Sequence, residues 1–357
     1  MLTKYCFGAH AETGAVTASV KEGEALPYFA AVKEGEGTRF CCPLGKDDVV
    51  FGLGETMRGI DKRGGRYVSF NTDNPHHEDD MPSLYGSHNF FIVDGEQTFG
   101  AFFDTPARVI FDIDFEDSGK IEIFAEQGVA VYFVEGENAN DIARQFLAAI
   151  GRSYLPPLWA FGFGQSRWGY KTEKDIRRIA ARYKKAGLPL EYICLDIDYM
   201  DRYIDFTVNK KRFPDMKGLV NEMKEQGVRL VPIVDAGIKI EPGNPVYEEG
   251  VKEGYFCKNL EGKDFQAAVW PGLTHFPDFL QAKAREWFGR QYQFYTDLGF
   301  EGFWNDMNEP AIFYSEYNTS RLGDKSCGDP LYRGGARLSD YKGFTHVVDG
   351  KAVSHRG

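Results

Sequence analysis

The feature that most constrains the fold is a change of rhythm at Leu155-Pro156-Pro157-Leu158. Before it, short apolar or alternating runs recur between Gly, Asp and Asn turn signals. After it, apolar strand-like runs take turns with helical ones. Two adjacent prolines fix φ and remove two backbone donors, so they make a stiff connector rather than a continuation of either pattern. The expectation is two domains of different class, residues 1–155 and 156–357. A chain of 357 residues has room for both cores.

In the first domain, runs near 49–53, 66–70, 89–93, 99–104, 108–114, 120–125 and 129–134 read as strands. Asp94-Gly95 and Ser118-Gly119 read as hairpin turns. Many short strands at close spacing predict a β-sandwich. A helix is expected over 138–150, where Ile142, Phe146, Leu147 and Ile150 recur at three and four, and Gly151 stops it. One stretch, Phe70-Asn71-Thr72-Asp73-Asn74-Pro75-His76-His77-Glu78-Asp79-Asp80, is too polar for a strand and too long for a tight turn. It reads as an exposed loop. Adjacent histidines point apart on an extended chain, so His76 and His77 suggest no metal.

In the second domain a strand is expected over 159–165, then a helix to about 186 with Ile176, Ile179, Ala180 and Tyr183 as its buried stripe. Residues 190–195 form the next strand and end in Asp196-Ile197-Asp198-Tyr199-Met200-Asp201. A helix over 216–226 and a strand over 229–234 follow. A long, strand-poor insertion then runs to about 277 and contains Ala268-Val269-Trp270-Pro271-Gly272. A helix over 278–298 leads to the last strand and to Gly302-Phe303-Trp304-Asn305-Asp306-Met307-Asn308-Glu309-Pro310. Alternating strands and helices imply a parallel sheet. A strand that delivers a carboxylate at its C-terminal tip is how a parallel α/β barrel presents catalytic groups. The fold class expected is therefore all-β plus α/β: a sandwich followed by a (β/α)8-type barrel, of which about the first four βα units are present. A whole barrel takes eight units over roughly 250 residues. The text after Pro310 is loop-like.

A net charge of −11 disfavours nucleic acid, whose phosphates need a basic surface. The six cysteines, Cys6, Cys41, Cys42, Cys194, Cys257 and Cys327, are scattered without a CxxC pair, too sparse for a disulfide scaffold. No apolar run is long enough to span a membrane, and the first residues show no leader. A cytoplasmic enzyme without cofactor or metal is the expectation. The aromatic content, 15%, serves core packing or the stacking of sugar rings equally well.

The string from Gly302 to Pro310 resembles the nucleophile signature of glycoside hydrolase family 31, WxDMNEP in its α-glucosidase members. Asp196-Ile197-Asp198-Tyr199-Met200 resembles that family's DIDYM segment, Phe213-Pro214-Asp215 matches a further motif, and Val269-Trp270-Pro271-Gly272 its VWPG segment. The resemblance implies that Asp306 is the nucleophile, with Glu309 a further catalytic candidate that organises the loop. It implies that Asp196 hydrogen-bonds sugar hydroxyls, that Ile197 and Ile233 wall the pocket, and that Asp235 supports it. Trp168, Trp270, Trp304 and Met307 would complete the pocket, and Asp73 would reach it from the sandwich loop.

The implied activity is that of a retaining exo-α-glucosidase, which releases terminal glucose from malto- or isomalto-oligosaccharides through a covalent glycosyl-enzyme. Retention needs two carboxyl groups about 5–5.5 Å apart. The family's acid/base Asp, sugar-binding Arg and sugar-binding His have no counterpart in this chain. The chain is accordingly expected to be the N-terminal part of a longer product. Its expected partners, besides α-glucoside oligosaccharides, are a C-terminal half or a second copy. An α-glucan lyase or transglucosidase would share the same nucleophile, and an inactive sugar-binding piece is the alternative of another class.

Overall fold

The computed structural model describes residues 2–71, 74, 76–308, 310–317, 341, 343–348 and 350–355, so Asp73 and Glu309 lie outside the described residues. The chain divides into two compact units, Met1–Tyr154 and Leu155–Gly357.

The first unit is a sandwich of a six-stranded and a five-stranded sheet. Its alternation is that of strands with one dry face. In Val109–Ile113 and Lys120–Ala125, every second residue is buried. Phe40, Phe91, Phe103, Phe111, Ile121 and Val131 from the two sheets meet in one core. Phe103 packs edge-on against Phe40 and Phe111, at 5.1 and 5.8 Å between ring centroids. The Val129–Glu135 strand is buried on both faces, because the helix Ala139–Ile150 covers the outer face. That helix is capped by the Asn138 side chain, which accepts from the Asp141 N–H. Four strands of this unit escape the sequence pattern: Thr3–Phe7, Lys21–Glu22, Ala30–Glu34 and Gly37–Pro43. Ala30–Glu34 is exposed at every position, so no period-two signal marks it.

The second unit is built on a four-stranded sheet of Gly164–Gln165, Tyr192–Leu195, Arg229–Asp235 and Trp304–Asp306, in chain order and parallel throughout. The helix Glu173–Ala186 carries a reciprocal N-terminal cap. The Thr172 hydroxyl accepts from the Asp175 N–H, and the Asp175 carboxylate accepts from the Thr172 N–H at 3.0 Å. Gly187 ends it at φ 66°, in the left-handed region where glycine carries no Cβ penalty. The helix Met216–Glu225 buries Met216, Leu219, Val220 and Met223.

Three expectations are corrected. The first strand is only Gly164–Gln165, since Leu158–Phe161 forms a 3-10 turn. Pro157 has no N–H for a ladder but keeps an acceptor, and the Ala160 N–H bonds to it at 2.9 Å, closing the turn locally. The insertion is not strand-poor. Ile238–Lys239, Gly272–His275, Ala267–Val269 and Tyr314–Ser315 form a second sheet, antiparallel at each pairing, beside the helix Pro245–Glu253. Strands of two to four residues are too short for periodicity to reveal. The expected helix over 278–298 begins only at Ala282, because the Asp278 side chain takes the Leu280 N–H in a local turn, and it breaks at Tyr292 into Ala282–Gln291 and Gln293–Asp297.

Among the described residues no helix is long and apolar enough to cross a membrane. Cys6, Cys41, Cys42, Cys194 and Cys257 are free.

Candidate active site

The C-terminal tips of three neighbouring parallel strands each carry a carboxylate. Asp306 ends the Trp304–Asp306 strand and Asp235 ends Arg229–Asp235; the two are register partners. Adjacent strands run about 4.8 Å apart, and register partners point to the same face. Asp196 directly follows Tyr192–Leu195 and caps the 3-10 turn Ile197–Tyr199, accepting the Ile197 N–H at 2.8 Å. The side chain of Asn305 fixes which face is which. It accepts a hydrogen bond from the Tyr292 hydroxyl on the helix side, so alternation sends Trp304 and Asp306 to the opposite face.

Gathering like charges raises the cost of ionisation. Burial pushes the Asp196 carboxyl up, the Ile197 N–H pulls it back, and the charges of Asp306 and Asp198 add to the rise. Asp235 is raised much further, first by burial and then by Asp306 and Asp196. Asp205, also raised by burial and then by Asp235, accepts the backbone N–H of Asp235 at 3.1 Å. Asp205 Oδ2 and Asp235 Oδ1 are buried with no hydrogen-bond partner among the described residues. Both shifts favour the uncharged acid, and Asp306, the register partner of Asp235, is half-buried. The fifth acid, Asp198, is buried but paired with Arg212 at 3.1 Å.

The tips rest on a hydrogen-bonded layer. The Tyr199 hydroxyl donates to the Ile233 carbonyl at 2.8 Å and lies 2.8 Å from the Tyr295 hydroxyl, which accepts the Phe206 N–H at 3.0 Å. Trp270 anchors an aromatic group with Phe313 at 4.9 Å, Trp168 at 5.5 Å and Tyr203 at 6.4 Å. Trp168 is exposed at its rim. Tyr203 and Arg202 both take left-handed φ, 59° and 51°, and Arg202 grips Glu241 with two bonds of 2.8 and 2.9 Å.

Of the site residues expected from the sequence, the structure brings Asp196 and Asp306 to the strand tips, sets Trp304 two residues below Asp306 as the register partner of Ile233, and pairs Trp168 with Trp270. Ile197 and Ile233, only 2% and 1% exposed, belong to the hydrophobic core. They back the site instead of standing open to it. Met307 takes φ 58° and packs on a separate cluster with Cys257, Phe265 and Phe344. Asp205, Tyr295 and Tyr203 were not singled out by sequence. Only the nearness of Asp205 and Tyr203 to the Asp196–Met200 motif could have pointed to them.

Comparison with known proteins bears on this arrangement. Residues 153–339 match the TIM-barrel domain of glycosyl hydrolases family 31, and residues 17–112 match the glycosyl hydrolase 31 N-terminal galactose mutarotase-like domain. The chain is 38% identical over 353 residues to alpha-glucosidase 2 of Bacillus thermoamyloliquefaciens, covering 94% of this chain and 43% of that protein. It is 35% identical over 267 residues to an alpha-glucosidase of Saccharolobus solfataricus, covering 74% of this chain and 38% of that one. A Flavobacterium johnsoniae GH31 dextranase complexed with glucose superposes with a TM-score of 0.71 at 26% identity, over 90% of this chain and 37% of the dextranase. The DNJ-bound glucosidase II alpha subunit gives 0.69 at 26% identity, over 77% of this chain and 33% of that one. The chain thus spans less than half the length of these relatives.

Proposed function

The chain belongs to glycosyl hydrolase family 31, and from that premise we infer that it carries the nucleophile of a retaining exo-α-glucosidase. Asp306 attacks the anomeric carbon of a terminal α-linked glucose and forms a glycosyl-enzyme, which water then opens. The observation that supports this most is the stacking of Asp306 on Asp235 at adjacent strand tips, with Asp196 at the third. A nucleophile must be ionised. Burial raises both Asp205 and Asp235, which favours their uncharged forms and lessens the repulsion that an ionised Asp306 would meet.

Asp196 accepts sugar hydroxyls beside the reacting carbon, and its charge favours the positive character that develops on the ring. Trp270 and Trp168 offer the apolar faces on which a hexose stacks. Asp73 and Glu309 keep the roles that family resemblance implies for them.

The test is covalent labelling of the active protein with a fluorinated glucosyl fluoride, which traps the glycosyl-enzyme. Peptide mass spectrometry should place the glucosyl mass on Asp306. A label on another carboxylate would overturn the assignment. Asp306→Ala should cut turnover by at least about a thousandfold, roughly 4 kcal/mol of barrier, with unchanged circular dichroism. Glucose first released in the β configuration would exclude retention.

A further inference from the structure

Away from the strand tips, three groups with metal-ligand chemistry converge from segments far apart in the chain. Cys257 Sγ lies 3.6 Å from His346 Nδ1, 89 residues on. Asp278 Oδ1 lies 2.8 Å from the same nitrogen, 68 residues away. One candidate ligand atom from each residue fits within 4.8 Å of the other two. Cys257 and Asp278 are buried, while His346 is partly open.

We propose that Cys257, Asp278 and His346 form a metal site of the zinc class that ties the terminal hairpin to the insertion. Thiolate, imidazole and carboxylate together suit Zn2+, and three protein ligands leave a fourth position for water. The Cys257–His346 separation of 3.6 Å is already that of two ligands on one Zn2+, and the Asp278–His346 pair at 2.8 Å would open by about half an ångström to admit the ion.

The surroundings argue for more than a hydrogen-bonded Asp–His pair. Both pairs of atoms that meet a would-be ion share one imidazole nitrogen, Nδ1. A catalytic triad would use the two opposite nitrogens instead. The other nitrogen, Nε2, lies 3.0 Å from His355 Nδ1. Metal-ligating histidines keep their second ring N–H hydrogen-bonded, which fixes the tautomer, and His355 Nδ1 is placed to accept it when its own proton is on Nε2. Asp278 is held in place independently: Oδ2 accepts the Val347 N–H at 2.7 Å and the Gln281 amide at 2.9 Å, and Oδ1 accepts the Leu280 N–H at 3.2 Å. Those bonds leave the edge of Oδ1 that faces His346 to the ion. On binding, the Cys257 thiol proton passes to solvent and the single proton of neutral His346 resides on Nε2, leaving the Nδ1 lone pair for the ion, so no oxidant or reductant is involved.

Such an ion would have a structural task. The hairpin of Thr345–Val348 and Lys351–Ser354 meets the insertion through the Lys258–Thr345 bridge. Cys257 and His346 flank that bridge on its two sides, so the ion would lock it. No metal is expected from the sequence, because the three ligands are spread over 90 residues with no local spacing to mark them.

The full chain, stripped with chelator and dialysed, is titrated with Zn2+ and with Co2+. One equivalent of zinc should be retained by elemental analysis, and melting should shift upward. Co2+ should give the thiolate-to-metal charge-transfer band. Cys257→Ser should remove that band. His355→Ala should keep it but weaken binding by about 10- to 100-fold. Absence of the band in the wild-type chain overturns the site and leaves a hydrogen-bonded pair only. A band that survives Cys257→Ser places the metal elsewhere and equally overturns it. The wild-type titration needs no variant to fold.

Discussion

Asp205 is a carboxyl group whose ionisation the fold makes costly, first through burial and then through Asp235. It is buried, accepts the Asp235 N–H through one oxygen, and feels the charge of Asp235. Its folded pKa is raised above the unfolded one, so the folded state holds more protons. Stability from this pair is then fully present below the unfolded value of about 3.9 and falls as pH rises. The fall ends near the folded value, about 8 for Asp235. Asp205→Asn keeps the oxygen that accepts the Asp235 N–H and removes one ionisable group. The variant should gain melting temperature over wild type, with a gain that grows from pH 5 to pH 8. A gain that is flat or shrinks across that range would sink the reading. At this scale the sequence carried Asp306 and Asp196 in continuous motifs. It did not carry Asp205, whose role arises from a contact 30 residues away.

Elements with local closure were legible in advance, and those closed by distant partners were not. The helix Glu173–Ala186 was marked by its stripe of Ile176, Ile179, Ala180 and Tyr183, and its ends close locally, through Thr172 with Asp175 and through Gly187. Thr172→Ala should cost about 1 kcal/mol in urea unfolding, because the Asp175 N–H loses its side-chain acceptor. An unchanged midpoint would show that the cap contributes nothing. The first strand of the parallel sheet was drawn too long for the opposite reason. Trp159, Phe161 and Phe163 look like an apolar strand, yet Phe161 and Phe163 are exposed and the chain turns after Pro157. The insertion after the third strand hid its small sheet because Ile238–Lys239 acquires strand character only by pairing with Gly272–His275. The helix-side anchoring of Asn305 by Tyr292 belongs here too, since it turns Asp306 toward the opposite face.

At the scale of the molecule, each unit owns a core. The sandwich buries Phe40, Phe91, Phe103 and Phe111 among its own strands and seals its outer face with its own helix. Residues 1–154 expressed alone should therefore unfold cooperatively and keep a structured near-ultraviolet circular dichroism signal. A broad, probe-dependent transition would show that this core is incomplete. The two-part division, the alternation of strand and helix, and the placing of Asp196 and Asp306 after strands were decided by sequence alone. Each rests on local periodicity, on proline geometry or on an unbroken motif, and these act between residues a few positions apart. Tertiary structure alone decided that Asp306 stacks on Asp235, that Asp205 is buried against the Asp235 N–H, that Ile197 and Ile233 sit in the core, and that Cys257, Asp278 and His346 converge. Those outcomes depend on burial and on charge felt across space, and chain order specifies neither until the strands have paired.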